Sequence, residues 1–435
     1  MRTKDPVNSK TMSRRRFLGH SASAAVLTAG ILPRAYAAGS ETMKIGLIGC
    51  GGRGLGAVVS ALTVNPQAKL TAMAEAFGDR LQRGRKSLQG KRGDQIAVDD
   101  DHCFTGFDGY RKLLDSGIDV AILASPPHFR PIHAEACINA GVHVFAEKPM
   151  AVDAPGVRRI LAAGEKARRR KLSFVSGFET RYAANAREAV QRLHDGAIGK
   201  ITSLQADFNT GFLWHRGRQS QWTEMEYQLR NWYYFTWLSG DHIVEQHVHL
   251  EDFVSWIMRE RPPLHAWGMG GRQVRTDPKW GDIFDHHAVV YEYADGARFY
   301  AFCRQQPGCF NSVTFMAHGT KGGIRGWDRL IIEGRTKWDS GRRKQHPELT
   351  TFREMFASIQ AGEPINDSVP MARSTMLAIL GRMATHSGQR ITWDEALASE
   401  KVLAPDRYAW DATPPVLPGP DGRYPIPMPG VTKVL

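Results

Sequence analysis

One local arrangement limits the fold more than any other. Gly49-x-Gly51-x-x-Gly54 stands between a short apolar run, Lys44-Ile45-Gly46-Leu47-Ile48, and a helical run from Leu55 to Asn65 closed by Pro66. The first glycine allows a tight turn, the second lets backbone approach a phosphate, and the third lets helix pack on strand. The helix N-terminus then points its free N–H groups at an anion. A second strand, Lys69 to Ala74, ends at Glu75, 21 residues beyond the last glycine. A carboxylate there accepts hydrogen bonds from ribose hydroxyls and repels a 2'-phosphate. The expected ligand is therefore NAD, held by Gly49, Gly51, Gly52, Arg53, Gly54 and Glu75, with Arg80 as a group that would tolerate NADP.

The alternation continues downstream. Val120 to Ala124 reads as a third strand ending at Ser125-Pro126-Pro127, and a helix from Pro131 to Ala140 leads through Gly141 into Val142-His143-Val144-Phe145. Strands and helices at this spacing predict an α/β fold with a doubly wound parallel sheet over residues 43–171. After about residue 172 strand-like stretches dominate: Ile201 to Phe208, His287 to Tyr293, Ala297 to Cys303 and Leu330 to Glu333. An aromatic segment, Trp222 to Trp237, and a helix-like segment, Gly240 to Met258, interrupt them. Residues 172–390 therefore read as an α+β domain on a large open, mainly antiparallel sheet, with residues 350–385 helical. The proline-rich stretch 404–435 reads as an extended arm over a surface.

Composition excludes several classes. With 42% hydrophobic and 23% charged residues in a chain of 435, disorder and coiled coil are out. Nearly half of the net charge of +13 lies at the N-terminus. Arg14-Arg15-Arg16-Phe17-Leu18-Gly19, a mildly apolar stretch from Ser21 to Leu32, and Ala35-Tyr36-Ala37 follow the order of a twin-arginine export signal over residues 1–37. Its removal leaves about +7, with no motif for nucleic acid and no run that would insert stably in a membrane. Five cysteines without a Cys-x-x-Cys imply no disulfide framework or zinc ribbon. Cys303 and Cys309 can pair in an oxidising compartment or remain thiols.

Three further motifs, Ser125-Pro126-Pro127-His128, Ala140-Gly141-Val142-His143-Val144 and Glu147-Lys148-Pro149, resemble the glucose-fructose oxidoreductase and inositol dehydrogenase family, Gfo/Idh/MocA. Gly177-Phe178-x-x-Arg181-Tyr182 opens the second domain as in that family. The resemblance implies a Rossmann domain followed by an open-sheet domain, and hydride transfer to or from a carbohydrate or cyclitol carbon. It adds Ser125, Pro126, His128, Glu147 and Lys148 to the cofactor side, a cis peptide before Pro149, and a homo-oligomer. Lys148, at the carboxyl edge of a parallel strand, suits a group that holds a substrate hydroxyl. The family's second signature, an acid and a histidine four residues apart on a helix, aligns with Glu245 and His249. The departures are Glu in place of Asp, and His247 in place of glycine.

Lys148, His249 and Glu245 are thus the expected catalytic groups, and Arg181, Tyr182, Tyr233 and His247 the expected substrate contacts. Trp232, Tyr233, Tyr234, Phe235 and Trp237 fit sugar stacking and core packing equally well. A competing reading has His242, Glu245 and His249 bind zinc with help from Asp285-His286-His287; lacking a zinc signature, no metal is assigned. An exported enzyme meets no ready NAD pool, so the expectation is a tightly bound NAD restored within each cycle. The expected activity is that of a periplasmic oxidoreductase on a sugar, sugar derivative or cyclitol. Alternatives are an NAD-dependent glycosidase working by oxidation, elimination and re-reduction, and a non-catalytic sugar sensor.

Overall fold

The computed structural model describes residues 42–435; the expected export signal, residues 1–37, lies outside the described residues. Six strands form the first sheet: β1 (Lys44–Ile48), β2 (Lys69–Glu75), β3 (Cys103–Thr105), β4 (Val120–Leu123), β5 (His143–Ala146) and β6 (Phe174–Ser176). All pair in parallel, in the order β3-β2-β1-β4-β5-β6. β1, β4 and β5 are buried almost throughout, as expected of central parallel strands covered by helices on both faces. The order reverses between β1 and β4, whose register runs Ile45↔Val120 to Ile48↔Leu123. Ligands of such sheets bind at the carboxyl ends flanking that reversal, which here are Gly49 and Ser125. The sheet takes in β6 and so runs past the boundary expected at residue 171.

The second sheet has nine strands: β7 (Ile201–Thr210), β8 (His265–Gly271), β9 (His286–Glu292), β10 (Arg298–Gln305), β11 (Ser312–Gly319), β12 (Gly322–Gly326), β13 (Leu330–Gly334), β14 (Trp338–Asp339) and β15 (Ile391–Thr392). Their order is β14-β13-β12-β11-β7-β10-β9-β8-β15, and only β7 and β10 pair in parallel. Burial alternates along β9 and β10, so one face packs and the other is open. The packed face meets the helices Val248–Ile257 and Ser368–Ser387, and the latter is buried over nearly its whole length. The helix Pro347–Ala361 returns to the first domain, where Phe352 packs at a tilt against Phe145, 4.5 Å between ring centroids.

All five cysteines are free; Cys303 is buried on β10 while Cys309 is exposed, so the two do not pair. No helix among the described residues is long and apolar enough to cross a membrane. From Lys401 onward the chain runs without helix or strand, and Trp410, Ala412 and Tyr424 pack it onto an aromatic cluster containing Phe77, Tyr227, Phe235 and Trp237.

Candidate active site

The glycine turn follows from steric demand. Gly49 has φ +99°, and a Cβ on it would lie 2.5 Å from the Ser125 nitrogen. A Cβ on Gly54 would lie 2.2 Å from the Gly49 carbonyl oxygen. A Cβ on Gly51 would meet nothing within 4 Å, so of the three motif glycines this one faces open space, as does the adjoining Gly52. The helix Gly52–Val64 starts there with no side-chain cap and no acid in its first turn, leaving its first N–H groups for an anion. Glu75 is oriented by the backbone: its carboxylate accepts from Cys50 N at 2.8 Å and Phe77 N at 3.3 Å. Arg80 lies 3.9 Å from the same carboxylate, over the Phe77 ring.

These groups line a cleft of about 550 Å³ that also takes in Ser125, Pro126 and Arg53. Its far wall comes from the second domain: Trp214, Arg216, Leu229 and Trp232. A turn with backbone-wide access, an uncapped helix start and a carboxylate at the second strand fit a dinucleotide. The wall from residues 214–232 carries no sequence signal, because it reaches the cleft only through tertiary packing.

Lys148 follows β5 and Glu147, and its peptide bond to Pro149 is cis. Its side chain is buried and paired: Nζ donates to the Glu245 carboxylate at 3.0 Å and to the Glu245 carbonyl. Glu147 accepts from Arg53 Nε at 2.6 Å, and Arg53 reaches on to Glu348 at 2.9 Å. Arg53 therefore ties the nucleotide turn to the catalytic edge through carboxylates of both domains. His249 lies within the field of both cations. Burial first, then Lys148 and Arg53, hold its imidazole well below the ordinary 6.5. It is therefore neutral near pH 7 and able to accept a proton. Lys148, Glu245, His249, Arg53 and Glu147 are thus brought together.

The segment carrying Glu245 differs from the regular α-helix expected. Ile243–His247 is a π-turn, continued by the α-helix Val248–Ile257. The wider turn changes which faces Glu245 and His249 present relative to a regular i, i+4 pair, and Glu245 is the one that contacts Lys148.

Other expected residues are placed elsewhere. Arg181 is paired with Asp252 at 2.7 Å and Glu260 at 2.7 Å, and the Tyr182 hydroxyl donates to Asp367 at 2.8 Å. Both polar groups, expected as substrate contacts, are engaged inside the second domain's packing. His247 is fully buried, and neither ring nitrogen has a partner. Tyr233 is buried as well, its hydroxyl accepting from Gln305 Nε2 at 2.7 Å; burial first, then Glu245, raise its pKa well above the ordinary value. Tyr234, Phe235 and Trp237 form core, and only Trp232 of the aromatic segment borders the cleft. His128 does not line the cleft; its Nε2 is hydrogen-bonded to the Tyr408 hydroxyl at 2.7 Å.

That bond belongs to a clasp. Trp410 lies 5.2 Å from Phe77 and 4.8 Å from Phe107, two rings of the cleft wall. Trp410→Ala is expected to speed nucleotide release about tenfold, the equivalent of ~1.4 kcal/mol of lost ring contact. Dissociation followed after rapid dilution into a nucleotide scavenger reads this directly. An unchanged rate would remove the arm from cofactor retention.

Comparison with known proteins gives the same picture. Residues 43–175 match the family model described as "Oxidoreductase family, NAD-binding Rossmann fold", and residues 186–325 match the GFO/IDH/MocA C-terminal domain. The chain is 27% identical over 172 residues to dTDP-3,4-didehydro-2,6-dideoxy-alpha-D-glucose 3-reductase of Actinomadura kijaniata, covering 39% of this chain and 47% of that protein. It is 26% identical over 215 residues to a glycosyl hydrolase family 109 protein of Streptomyces coelicolor, covering 44% of each. The chain thus spans less than half the length of these curated relatives. The structure of levoglucosan dehydrogenase in complex with NADH and levoglucosan superposes with a TM-score of 0.62 at 16% identity, covering 81% of this chain and 99% of that one. With both domains matched in sequence and the same architecture in space, the chain belongs to the Gfo/Idh/MocA family of NAD-binding oxidoreductases.

Proposed function

We propose that this oxidoreductase acts on a secondary hydroxyl of a sugar, sugar derivative or cyclitol, using an NAD that stays bound and is restored within each cycle. One observation carries the reading: a buried lysine paired with a carboxylate follows Glu147, which Arg53 of the dinucleotide cleft holds at 2.6 Å, and the same two cations act on a neutral histidine. Bound NAD supplies the hydride acceptor for such a carbon. His249, neutral and partly buried, takes the hydroxyl proton as the carbonyl forms. Lys148 donates to the same oxygen and stabilises its developing negative charge, and Glu245 fixes where that ammonium points. Trp214 and Trp232 narrow the cleft from the second domain.

The neutral state of His249 gives a pH prediction. Its folded pKa is depressed, so the free base persists below 6.5. Single-turnover oxidation is expected to hold its plateau down to about pH 6 or lower. A rate that halves at pH 6.5 or above would take the proton-accepting role from His249.

Export belongs to the same reading. Twin-arginine signals serve proteins that fold before transport, which would deliver the enzyme to the periplasm with its cofactor aboard. A second reading, the NAD-dependent glycosidase, is favoured by the similarity to glycosyl hydrolase family 109 proteins. Both are tested by incubating the purified full chain, without added cofactor, with paired free sugars and with nitrophenyl glycosides. Oxidation of one sugar with reduction of the other supports the oxidoreductase, and release of nitrophenol supports the glycosidase. Saturable sugar binding without either reaction defeats both.

A further inference from the structure

Where the chain leaves Gly240 for the catalytic segment, one carboxylate and several imidazoles are sealed from solvent. Asp241 is 0%, His242 1% and His287 2% exposed. None takes part in the proton chemistry above. Each can bring one ligand atom to within 4.8 Å of the other two. Asp241 holds φ +76°, a conformation that non-glycine residues adopt at a cost and that aims its carboxylate inward.

The hydrogen bonds around the cluster fix its lone pairs. Thr385 Oγ1 has the carbonyls of Gly381 and Arg382 at 3.1 and 3.0 Å and His287 Nδ1 at 2.9 Å; with its one proton on either carbonyl, it accepts from the ring. In that arrangement His287 Nδ1 carries the proton, and in the neutral ring Nε2 presents its lone pair. That atom lies 3.3 Å from Asp241 Oδ1, too poorly aligned for a good hydrogen bond but close enough that either a proton on the ring or a cation between the two would satisfy both. His242 Nε2 is likewise buried without a partner. Left unsatisfied, a buried imidazole nitrogen costs about 1–3 kcal/mol, and a cation held by the two rings and the carboxylate would satisfy them together. Asp241 is meanwhile braced as metal-bound carboxylates are, by Phe284 N at 3.0 Å and His386 Nε2 at 2.9 Å on its other oxygen.

We propose that Asp241, His242 and His287 form a binding site for a divalent transition metal, zinc foremost, distinct from the Lys148 site. Two imidazoles and one carboxylate suit zinc and disfavour magnesium and calcium. Ligand atoms in a tetrahedral zinc site stand about 3.3 Å apart, so binding draws the trio slightly inward. The metal ties β9 to the start of the segment that carries Glu245, and so positions that residue without touching substrate. The set differs from the one suggested by spacing alone: His242 and His287 remain, whereas Glu245 is paired with Lys148 and His249 stands outside the cluster.

The test uses untagged full-length protein equilibrated in turn with Zn²⁺, Mn²⁺ and Ni²⁺, desalted, and analysed by plasma mass spectrometry. About one equivalent of one metal is expected, with a higher melting temperature that dipicolinate reverses. His242→Gln and His287→Gln are each expected to lower loading at least tenfold, while His286→Gln, a neighbouring ring paired with Asp285, leaves it intact. If a buried variant fails to fold, X-ray absorption of the metal-loaded wild type decides, with two or more imidazole ligands expected. Loading below a tenth of an equivalent for every metal, equal loading in the folded variants, or a bound metal without imidazole ligands would each overturn the site and leave a protonated His287 paired with Asp241.

Discussion

Lys148→Ala is expected to keep its nucleotide and to lose hydride transfer by at least about a hundredfold, the scale seen when one preorganised donor to a developing oxyanion is removed. The ammonium is 9% exposed and fixed from two directions by the carboxylate and carbonyl of Glu245, so it is placed before substrate arrives. Removing it also strands the Glu245 carboxylate, which is 6% exposed, and an uncompensated buried charge costs roughly 3–5 kcal/mol. Loss of rate could therefore reflect a damaged fold. The double variant Lys148→Met/Glu245→Gln separates the two effects, because it removes both charges together and should recover stability without recovering turnover. Single-turnover spectroscopy of bound nucleotide, paired with denaturant unfolding, reads both quantities. Full turnover in either variant would exclude Lys148 from the chemistry.

The parts of this site that were legible in the sequence are those whose cause is local. Gly49, Gly54 and Glu75 are required by a strand–turn–helix geometry complete within about thirty residues, and β1, β2 and β4 follow from continuous apolar runs. The same reasoning missed β8, whose sequence His265-Ala266-Trp267-Gly268-Met269-Gly270-Gly271 is too rich in glycine to show a two-residue period. Those glycines are dictated from outside: a Cβ on Gly268 would lie 2.4 Å from the Ala288 carbonyl oxygen of the neighbouring strand.

Side-chain roles were legible only where the element was regular. Arg181 and Tyr182 stand near the family motif in sequence, but their partners Asp252 and Asp367 lie 71 and 185 residues further on. Their engagement is a tertiary fact that no spacing reveals. The π-turn at Ile243–His247 has the same character. An α-helix is the local default, and the extra residue is accommodated because Asp241 is anchored by Phe284 and His386 from other elements. Nothing local marks Arg53 as bridging Glu147 and Glu348, although the nearness of Arg53 and Glu147 to the cofactor was expected from the motifs that contain them.

The glycine turn offers the sharpest separation between holding the fold and holding the cofactor. Gly51 is the N-cap residue of the first helix, with φ −77° and ψ 174°, an extended conformation that valine adopts without strain. Its missing Cβ points into open space, so Gly51→Val should fold with an unchanged midpoint in denaturant when both proteins are stripped of nucleotide. The isopropyl group then occupies the place where backbone must approach a pyrophosphate, and NAD affinity is expected to fall by at least about a hundredfold. Gly54→Ala should behave in the opposite way. Its single methyl collides with the Gly49 carbonyl oxygen at 2.2 Å and meets Ala124 at 3.0 Å, both parts of a rigid strand end. The helix must withdraw from the sheet, at a cost of about 1–3 kcal/mol or more. Nucleotide content and unfolding midpoints of the two variants are therefore expected to rank in opposite order. Stoichiometric NAD in purified Gly51→Val, or a Gly54→Ala protein as stable as the parent, would mean that the turn between β1 and the first helix does not cradle the cofactor.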